Sequence, residues 1–374
     1  MEFTVSKADL VRELGLSQGV VEKKTTIPIL SNVLLEAYGD RITLTATDLE
    51  LGVRCSCPAR VKKEGAGTIP ARKLLDYVRL LPEGDVSFKF LENHWASITC
   101  GRSKTKIAGM SRESFPELPE MPEELGEIPF GLLASLIART GFAISMEESR
   151  FTLNGALLLL KPDSVTMVST DGHRLAFVDQ ALANGNNRSF RALVPRKAMN
   201  EIAKLAAEGD PNDMAKLAGD DNHLFFRFGD RLLITRKLTG NFPDYERVLP
   251  KENQHIVRVP KSEIRSAIER VAQFADERSR AIRVRFEPDE MRIFSSSVET
   301  GESEESVPTE YQGPTLEIGF NAQYLLDFLR AIGQDQVAFA LKDERSAGEL
   351  QPWSANSESL AGQEYRYVVM PMRI

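Results

Sequence analysis

A long internal repeat constrains this chain more than any other feature. Gly67-Thr68-Ile69-Pro70-Ala71-Arg72-Lys73-Leu74 is echoed by Ala192-Leu193-Val194-Pro195-Arg196-Lys197-Ala198-Met199, and the two prolines stand 125 residues apart. Another 125 residues leads to Phe320 in Ile318-Gly319-Phe320-Asn321, followed by the helical pattern Tyr324-Leu325-Leu326-Asp327-Phe328-Leu329. Thr47-Asp48-Leu49-Glu50-Leu51 corresponds to Thr170-Asp171-Gly172-His173-Arg174-Leu175 at an offset of 123, and Phe115-Pro116-Glu117-Leu118-Pro119 to Phe242-Pro243-Asp244-Tyr245 at an offset of 127. A period near 125 is too long for a solenoid. It predicts three similar globular domains in tandem, a reasonable number for 374 residues.

Each repeat reads in the same order. A strand is followed by a helix, over Lys7 to Val21, Gly131 to Phe142 and Lys261 to Phe274. Ile264, Ala267, Ile268 and Val271 fall at i, i+3, i+4 and i+7, a helical stripe. Alternating strands follow, as in Arg41-Ile42-Thr43-Leu44-Thr45-Ala46 after the turn residues Gly39-Asp40. A second helix starts after Pro70, Pro195 or Phe320, and more strands close each unit. The fold class is therefore α+β, with helices on one face of antiparallel sheets. Phe115 to Glu127 and Pro243 to Asn253 are rich in Pro and Glu and read as linkers, because proline removes a ladder donor. Boundaries are placed to give domains 1–124, 125–254 and 255–374.

Composition excludes several classes. Apolar residues are 42% and charged residues 27%, ordinary for a globular protein and unlike a disordered or fibrous one. The run Leu157 to Leu160 is far shorter than the roughly 20 apolar residues of a membrane helix. Met1-Glu2-Phe3-Thr4-Val5 has no basic stretch before an apolar one, so no secretory signal is expected. Cys55, Cys57 and Cys100 are odd in number, which fits a reducing cytoplasm, and Cys55-x-Cys57 lacks zinc-ribbon spacing. Net charge is −7, against a simple basic protein that coats nucleic acid.

That charge is unevenly placed. Basic and acidic residues number 17 and 18 in the first domain, 16 and 16 in the second, and 14 and 20 in the third. Arg102, Lys104, Lys106 and Arg112 follow one another with no acid between them, while Glu299, Glu302, Glu304 and Glu305 form an acidic stretch with no basic residue. Both lie in strand-like patterns. They read either as solvated faces or as two sheet edges of opposite charge, and a head-to-tail contact between such edges closes a ring when geometry allows. The helices carry a second pattern. Arg72 and Arg79 lie at i and i+7 with Lys73 adjacent, Lys197 and Lys204 repeat that spacing with Arg196 adjacent, and the third domain offers Lys261 and Arg265. Basic faces at equivalent places suit a duplex backbone, where phosphate contacts carry no sequence information.

Motifs for chemistry are missing. His94, His173, His223 and His255 show no metal-ligand spacing, and no Walker loop, GxGxxG or GxSxG occurs. Asp171 beside His173 is the most enzyme-like pair, as in a hydrolase. Asp171 recurs as Asp48 in the first repeat, where no histidine follows, so a turn role for the aspartate is favoured. No catalytic residue, metal or cofactor is expected.

Pro28-Ile29-Leu30-Ser31-Asn32-Val33-Leu34-Leu35, Thr170-Asp171-Gly172-His173-Arg174-Leu175-Ala176, Phe242-Pro243-Asp244-Tyr245 and the closing Tyr367-Val368-Val369-Met370-Pro371-Met372-Arg373-Ile374 occur in that order. Together they resemble the bacterial DNA polymerase III β subunit family, the sliding clamps, over Phe3 to Ile374. The resemblance implies three clamp-type domains per protomer and a head-to-tail homodimer. Its ring would have helices lining the hole, and it would encircle duplex DNA without sequence readout. The DNA-facing residues would be Lys24, Arg72, Lys73, Arg79, Arg196, Lys197, Lys204, Lys261 and Arg265. The dimer interface would use Arg102, Lys104, Thr105, Ile107, Phe274, Glu299, Glu302 and Glu304.

The resemblance also implies a hydrophobic cleft for short peptides. Its residues would be Leu153, Thr170, Gly172, His173, Arg174, Leu175, Pro243, Arg247, Val248, Asn321, Tyr324, Val368, Val369, Met370, Pro371, Met372 and Arg373. Partners would be the polymerase III α subunit, the clamp-loader δ subunit and other proteins with a clamp-binding motif, in the cytoplasm and with no membrane. Ser279 stands where the family often has an aromatic rim residue, the loop Arg345 to Ala347 departs, and Gly348 to Gly362, with Trp353, reads as an insertion. A protein-only scaffold that binds peptides and never DNA is the alternative from another class.

Overall fold

A computed structural model describes residues 1–21, 26–182, 189–298, 300–354 and 362–373. Its helices all arise in one way. The strands Glu2–Ser6, Gly65–Pro70, Glu124–Pro129, Phe190–Pro195, His255–Pro260 and Leu316–Asn321 each run straight into a helix: α1 (Lys7–Ser17), α2 (Ala71–Leu80), α3 (Phe130–Thr140), α4 (Arg196–Glu208), α5 (Lys261–Val271) and α6 (Ala322–Ala331). Four of these strands end in proline, whose φ is fixed and which has no N–H to leave unpaired. The other two end in N-caps. The Ser6 side chain accepts from Asp9 N, and that of Asn321 accepts from Gln323 N and Tyr324 N. The first helix of each repeat is shorter than its pattern suggested. Gly141–Ala143 and Ala272–Phe274 continue as single 3₁₀ turns, and α1 stops at Ser17 ahead of Gly19. No helix among the described residues is long and apolar enough to cross a membrane.

The chain divides into two compact units, Met1–Gly131 with Asn200–Lys237, and Leu132–Met199 with Leu238–Ile374. In the first unit an eight-stranded sheet runs in the order Glu124–Pro129, Met214–Gly219, His223–Phe228, Arg231–Arg236, Leu51–Pro58, Arg41–Thr47, Asn32–Tyr38, Gly65–Pro70. A five-stranded sheet runs Arg60–Lys63, Glu2–Ser6, Asp85–Phe90, Trp95–Cys100, Ser103–Ala108. In the second unit the eight-stranded order is Phe190–Pro195, Gly155–Leu160, Ser164–Thr170, Arg174–Ala181, Gln363–Val369, Gly348–Trp353, Gln336–Leu341, His255–Pro260. A four-stranded sheet runs Gly301–Pro308, Glu290–Ser297, Ala281–Glu287, Leu316–Asn321.

The sequence alone places antiparallel strands in each repeat without specifying how strands of different repeats pair, and the structure supplies that pairing. Each eight-stranded sheet is two four-stranded halves from successive repeats, joined antiparallel edge to edge: Leu233 stands opposite Val53 in one, Leu175 opposite Val368 in the other. Backbone pairing across the junction leaves no signal in hydrophobic periodicity, which is why it was not visible. The expected insertion is also corrected. Gly348–Trp353 is a sheet strand with Leu350 wholly buried opposite Phe339 and Tyr367, and residues 355–361 lie outside the described part. Arg258 lies 4.7 Å above the Trp353 ring.

Cys55, Cys57 and Cys100 are free and buried. Burial pushes the Cys57 thiol up to about 12, so it is an inert core residue. Beside it, Glu13 of α1 is only 3% exposed. It accepts two 3.0 Å bonds from Arg231, on the strand from the other repeat, and one of 2.8 Å from Arg12. Burial works against the Glu13 charge, but the arginine hydrogen bonds outweigh it and hold the carboxyl below its ordinary 4.5. A depressed carboxyl contributes stability above its unfolded pKa and loses it as pH falls through the folded value. Glu13→Ala should cost about 1–3 kcal/mol, because it removes both Glu13 hydrogen bonds to Arg231 and leaves Glu208, at 2.6 Å, as that guanidinium's remaining ion-pair partner among the described residues. The melting-temperature gap between the wild type and Glu13→Gln should close as pH falls from about 5 to about 3. A gap independent of pH would show that the carboxylate charge contributes nothing.

Candidate functional site

The clearest local device is the turn after Ser164–Thr170. Thr170 Oγ1 donates to Arg174 O at 2.6 Å and accepts from Gly172 N at 3.0 Å. Asp171 Oδ1 accepts from the backbone N–H of His173 and of Arg174, at 2.9 and 3.0 Å. Gly172 sits at φ +89°, and a Cβ there would come within 2.8 Å of Arg150 Nη1. That same Nη1 donates to Asp171 O at 2.7 Å. The first repeat builds the same turn with Thr47 and Asp48, without histidine. Asp171 therefore works as a turn clamp, and the hydrolase pairing with His173 is not formed: its second oxygen takes Arg174 Nε at 3.0 Å.

Arg174 begins the strand Arg174–Ala181 and is a nearly buried hub. Its guanidinium donates to Asp327 Oδ2 at 2.6 Å and to Phe142 O at 2.6 Å, and lies 4.2 Å above the Tyr324 ring. Tyr367 OH, within 3.5 Å of Arg174, donates to Tyr324 O at 3.0 Å, and its ring stacks on Phe328 at 5.1 Å. Burial opposes the charge on Arg174, but Tyr367, Asp327 and Asp171 overcome it and raise its pKa further. Burial likewise raises the Tyr367 phenol. Arg174 and Tyr324, both expected in the peptide cleft, meet here: the Arg174 guanidinium ties the turn to α6 through Asp327 and the Tyr324 ring, and Asn321 caps α6 while donating to Ser279 O at 3.3 Å.

An apolar surface lies next to this hub. Leu175, Phe177, Leu157, Val168, Leu193, Phe242, Leu249 and Val368 form one buried cluster, and Leu153, Val248, Tyr245 and Ala347 pack half-exposed against it. Val368, 1% exposed, belongs to the buried floor and not the rim, whereas Val369, 0% exposed, is buried outside that cluster. Met370 is 41% exposed and is held by Met370 N donating to His173 O at 2.9 Å. Pro371 and Met372 are half-exposed, Met372 N donating to Gly319 O, and His173, Gly172, Pro243, Arg247 and Arg373 are exposed. Half-buried apolar side chains with a few polar groups around them suit a peptide. Sequence reasoning missed Phe142, Asp327 and Tyr367 of the hub, and Phe242, Tyr245 and Ala347 of the floor. The quoted Phe242-Pro243-Asp244-Tyr245 contained a signal for two of them.

The remaining expected residues are placed as follows. Arg72, Lys73 and Arg79 share the exposed face of α2 opposite buried Leu74, Leu75 and Val78, with no ion-pair partner among the described residues. Lys197 and Lys204 are exposed, Arg196 half-exposed, and Lys204 pairs with Glu201 at 2.7 Å. Lys261 is turned to the backbone, donating to Ile332 O at 3.1 Å, and Arg265 pairs with Glu269 at 3.0 Å, so both are partly occupied within the third repeat. Lys104, Glu302 and Glu304 are exposed on their strands and Arg102 is exposed in the turn before Ser103–Ala108. Thr105 and Phe274 are half-exposed, whereas Ile107 is 6% exposed and packs into its own unit. Lys24 and Glu299 lie outside the described residues. No group of three or more His, Cys, Asp or Glu among the described residues could hold a metal ion.

Arg174→Ala and Asp327→Asn test the hub. Each should lower the melting temperature, and together they should be non-additive by about 1–3 kcal/mol. Simple additivity in thermal unfolding would mean that the two side chains do not act as a pair.

Comparison with known proteins agrees with this geometry. Residues 1–119, 127–244 and 246–373 match the N-terminal, central and C-terminal domains of the DNA polymerase III beta subunit family. The chain is 35% identical over 379 residues to the beta sliding clamp of Pseudomonas putida and 34% identical over 382 residues to that of Caulobacter vibrioides, covering 100% of each chain. It superposes on the crystal structure of the DNA polymerase III subunit beta from Pseudomonas aeruginosa with a TM-score of 0.93 at 35% identity and full coverage of both. A clamp from the same species, crystallised bound to griselimycin, gives a TM-score of 0.93 at 34% identity over the whole of both chains. The chain belongs to the DNA polymerase III beta subunit family, the beta sliding clamps, which are non-catalytic subunits of that polymerase.

Proposed function

We propose that two copies of this chain join head to tail into a ring that encloses duplex DNA and tethers the polymerase to it. The observation that carries the reading is a pair of open edges. Inside the protomer, each four-stranded half is completed by a half from the next repeat. Two halves are left over, ending at Ser103–Ala108 and at Gly301–Pro308, each an outer strand of its sheet. Unpaired edges are a liability in solution. These two stand in their repeats where Arg231–Arg236 and Leu51–Pro58 stand at the internal junction.

Carrying the internal register over puts Thr105 of one copy opposite Ser303 of the other, Lys104 opposite Glu304 and Lys106 opposite Glu302. Opposite charges directly across a strand pair are favourable. Glu305 is already taken by Arg270 at 2.7 Å, and Glu304 lies 3.8 Å from Arg292, so Glu302 is the freest acid for this contact. Arg102 on one edge and Phe274 beside the other would flank the joint, while Ile107 is buried within its own unit. Lysine-to-glutamate changes at 104 and 106 should give monomers in sedimentation velocity, and lysines at 302 and 304 should restore mixed dimers. Wild-type dimers should weaken with salt, because exposed pairs are screened. Dimers that survive the charge reversal would sink the edge-pairing argument.

In such a ring the exposed faces of α2 and α4, with Arg72, Lys73, Arg79, Arg196, Lys197 and Lys204, would meet DNA phosphates without reading bases. Lys261 and Arg265 of α5 would contribute less, being engaged internally. The apolar surface around Leu153, Leu175, Val248 and Met370, rimmed by His173, Pro243, Arg247 and Met372, would dock short segments of the polymerase, the clamp loader and other clamp-binding proteins in the cytoplasm. The experiment is loading onto nicked circular DNA. At a salt concentration that keeps the dimer intact, the protein should remain bound to the closed circle and slide off once the circle is cut. Release from the intact circle would favour a protein-only scaffold. His173→Ala with Met370→Ala should weaken peptide binding by about tenfold while leaving retention on the circle unchanged.

A further inference from the structure

The repeat that builds the apolar surface in the second unit has a counterpart in the first unit with different chemistry. In the second unit, Leu157, Val168 and Phe177 stand opposite one another on adjacent strands and close the sheet face with hydrocarbon. The corresponding row in the first unit is Leu34, Thr45 and Arg54, in the same register. Leu159 corresponds to Glu36, and Leu175 to Gly52, over which the linker side chain Leu118 lies: a Cβ on Gly52 would come within 2.9 Å of it. The linker crosses this face, anchored by Phe115 on one cluster and by Leu118 and Met121 on another. Polar residues replace the filling between sheet and linker, and a cavity of about 530 Å³ remains there.

Its lining is unbalanced. Glu36, Glu117 and Glu120 face Arg54 and Arg112. Arg54 pairs with Glu120 at 2.9 Å, but Arg112 is 3.9 Å from Glu36, and Glu117 has no ion-pair partner among the described residues. Thr45 lines the cavity, is only 3% exposed, and its Oγ1 has no hydrogen-bond partner among the described residues. A buried hydroxyl without a partner costs free energy that an incoming polar group would recover. An acceptor at the floor and an excess of carboxylate in the walls fit a cation.

We propose that this cavity receives a basic side chain, lysine or arginine, from an extended segment of a partner protein, with Thr45 at its floor and Glu36 and Glu117 as counter-charges. It is a second peptide-docking position, separate from the apolar surface of the second unit and complementary to a different sequence.

The test uses the full chain with leucine and threonine methyl groups labelled for NMR. The probes are the acetylated, amidated pentapeptide Ala-Ala-Lys-Ala-Ala and its counterparts with norleucine or glutamate at the centre. The lysine peptide should shift the Leu34, Thr45 and Leu118 methyl resonances saturably, and the other two should not. Glu36→Gln with Glu117→Gln should weaken this binding by about tenfold. Thr45→Val, which keeps shape and removes the acceptor, should weaken it several-fold without lowering the melting temperature. Absence of a saturable shift, equal shifts with norleucine, or binding of the glutamate peptide alone would overturn the proposal. None of these outcomes depends on ring closure or on the cleft of the second unit.

Discussion

Backbone groups at the edge of a sheet must find partners, and this chain meets that demand in one repeated manner. A half of four strands ends in an exposed edge, and the half from the next repeat covers it. Leu51–Pro58 meets Arg231–Arg236, and Arg174–Ala181 meets Gln363–Val369. The turn at Asp171, the hub at Arg174 and the apolar floor around Leu175 all sit at the second of these junctions. Site and seam are thus one construction: the strand that completes the sheet, Gln363–Val369, also delivers Val368 to the floor and Met370 to the rim.

Charge follows the same logic at two depths. Glu13 with Arg231, and Arg174 with Asp327, are removed from water, where one missing partner is costly and geometry is tightly specified. The charges at Lys104, Lys106, Glu302 and Glu304 remain in solvent, where pairing is weak and responds to salt. Permanent joints within the chain and the proposed joint between copies would call for these two different kinds of ion pair.

Much of this was legible in the sequence because it rests on local chemistry. The three repeats, the strand-to-helix junctions at Pro70 and Pro195, and the backbone role of Asp171 follow from short motifs and their spacing. Partnerships between distant segments were not legible. Nothing near Arg174 announces Asp327, 153 positions away, and nothing in the alternation of Arg231–Arg236 names Leu51–Pro58 as its neighbour. Lys261 and Arg265 look free on a helical wheel, yet a backbone carbonyl and Glu269 already engage them. The Ser- and Glu-containing stretch after Trp353 disguised Gly348–Trp353, a strand whose buried Leu350 is its only strong apolar signal.

The division of the middle repeat between two sheets bears on how the protein is made. The eight-stranded sheet of the first unit needs Met214–Gly219, His223–Phe228 and Arg231–Arg236 before Leu51–Pro58 has a neighbour on that side. A ribosome must therefore synthesise almost two thirds of the polypeptide before the first unit can be finished, while Gly155–Leu160 and Ser164–Thr170, already translated, wait for a sheet whose other half comes from the C-terminal third. Nascent chains with unfinished strand edges are prone to associate wrongly, and charged side chains along an open edge oppose such pairing.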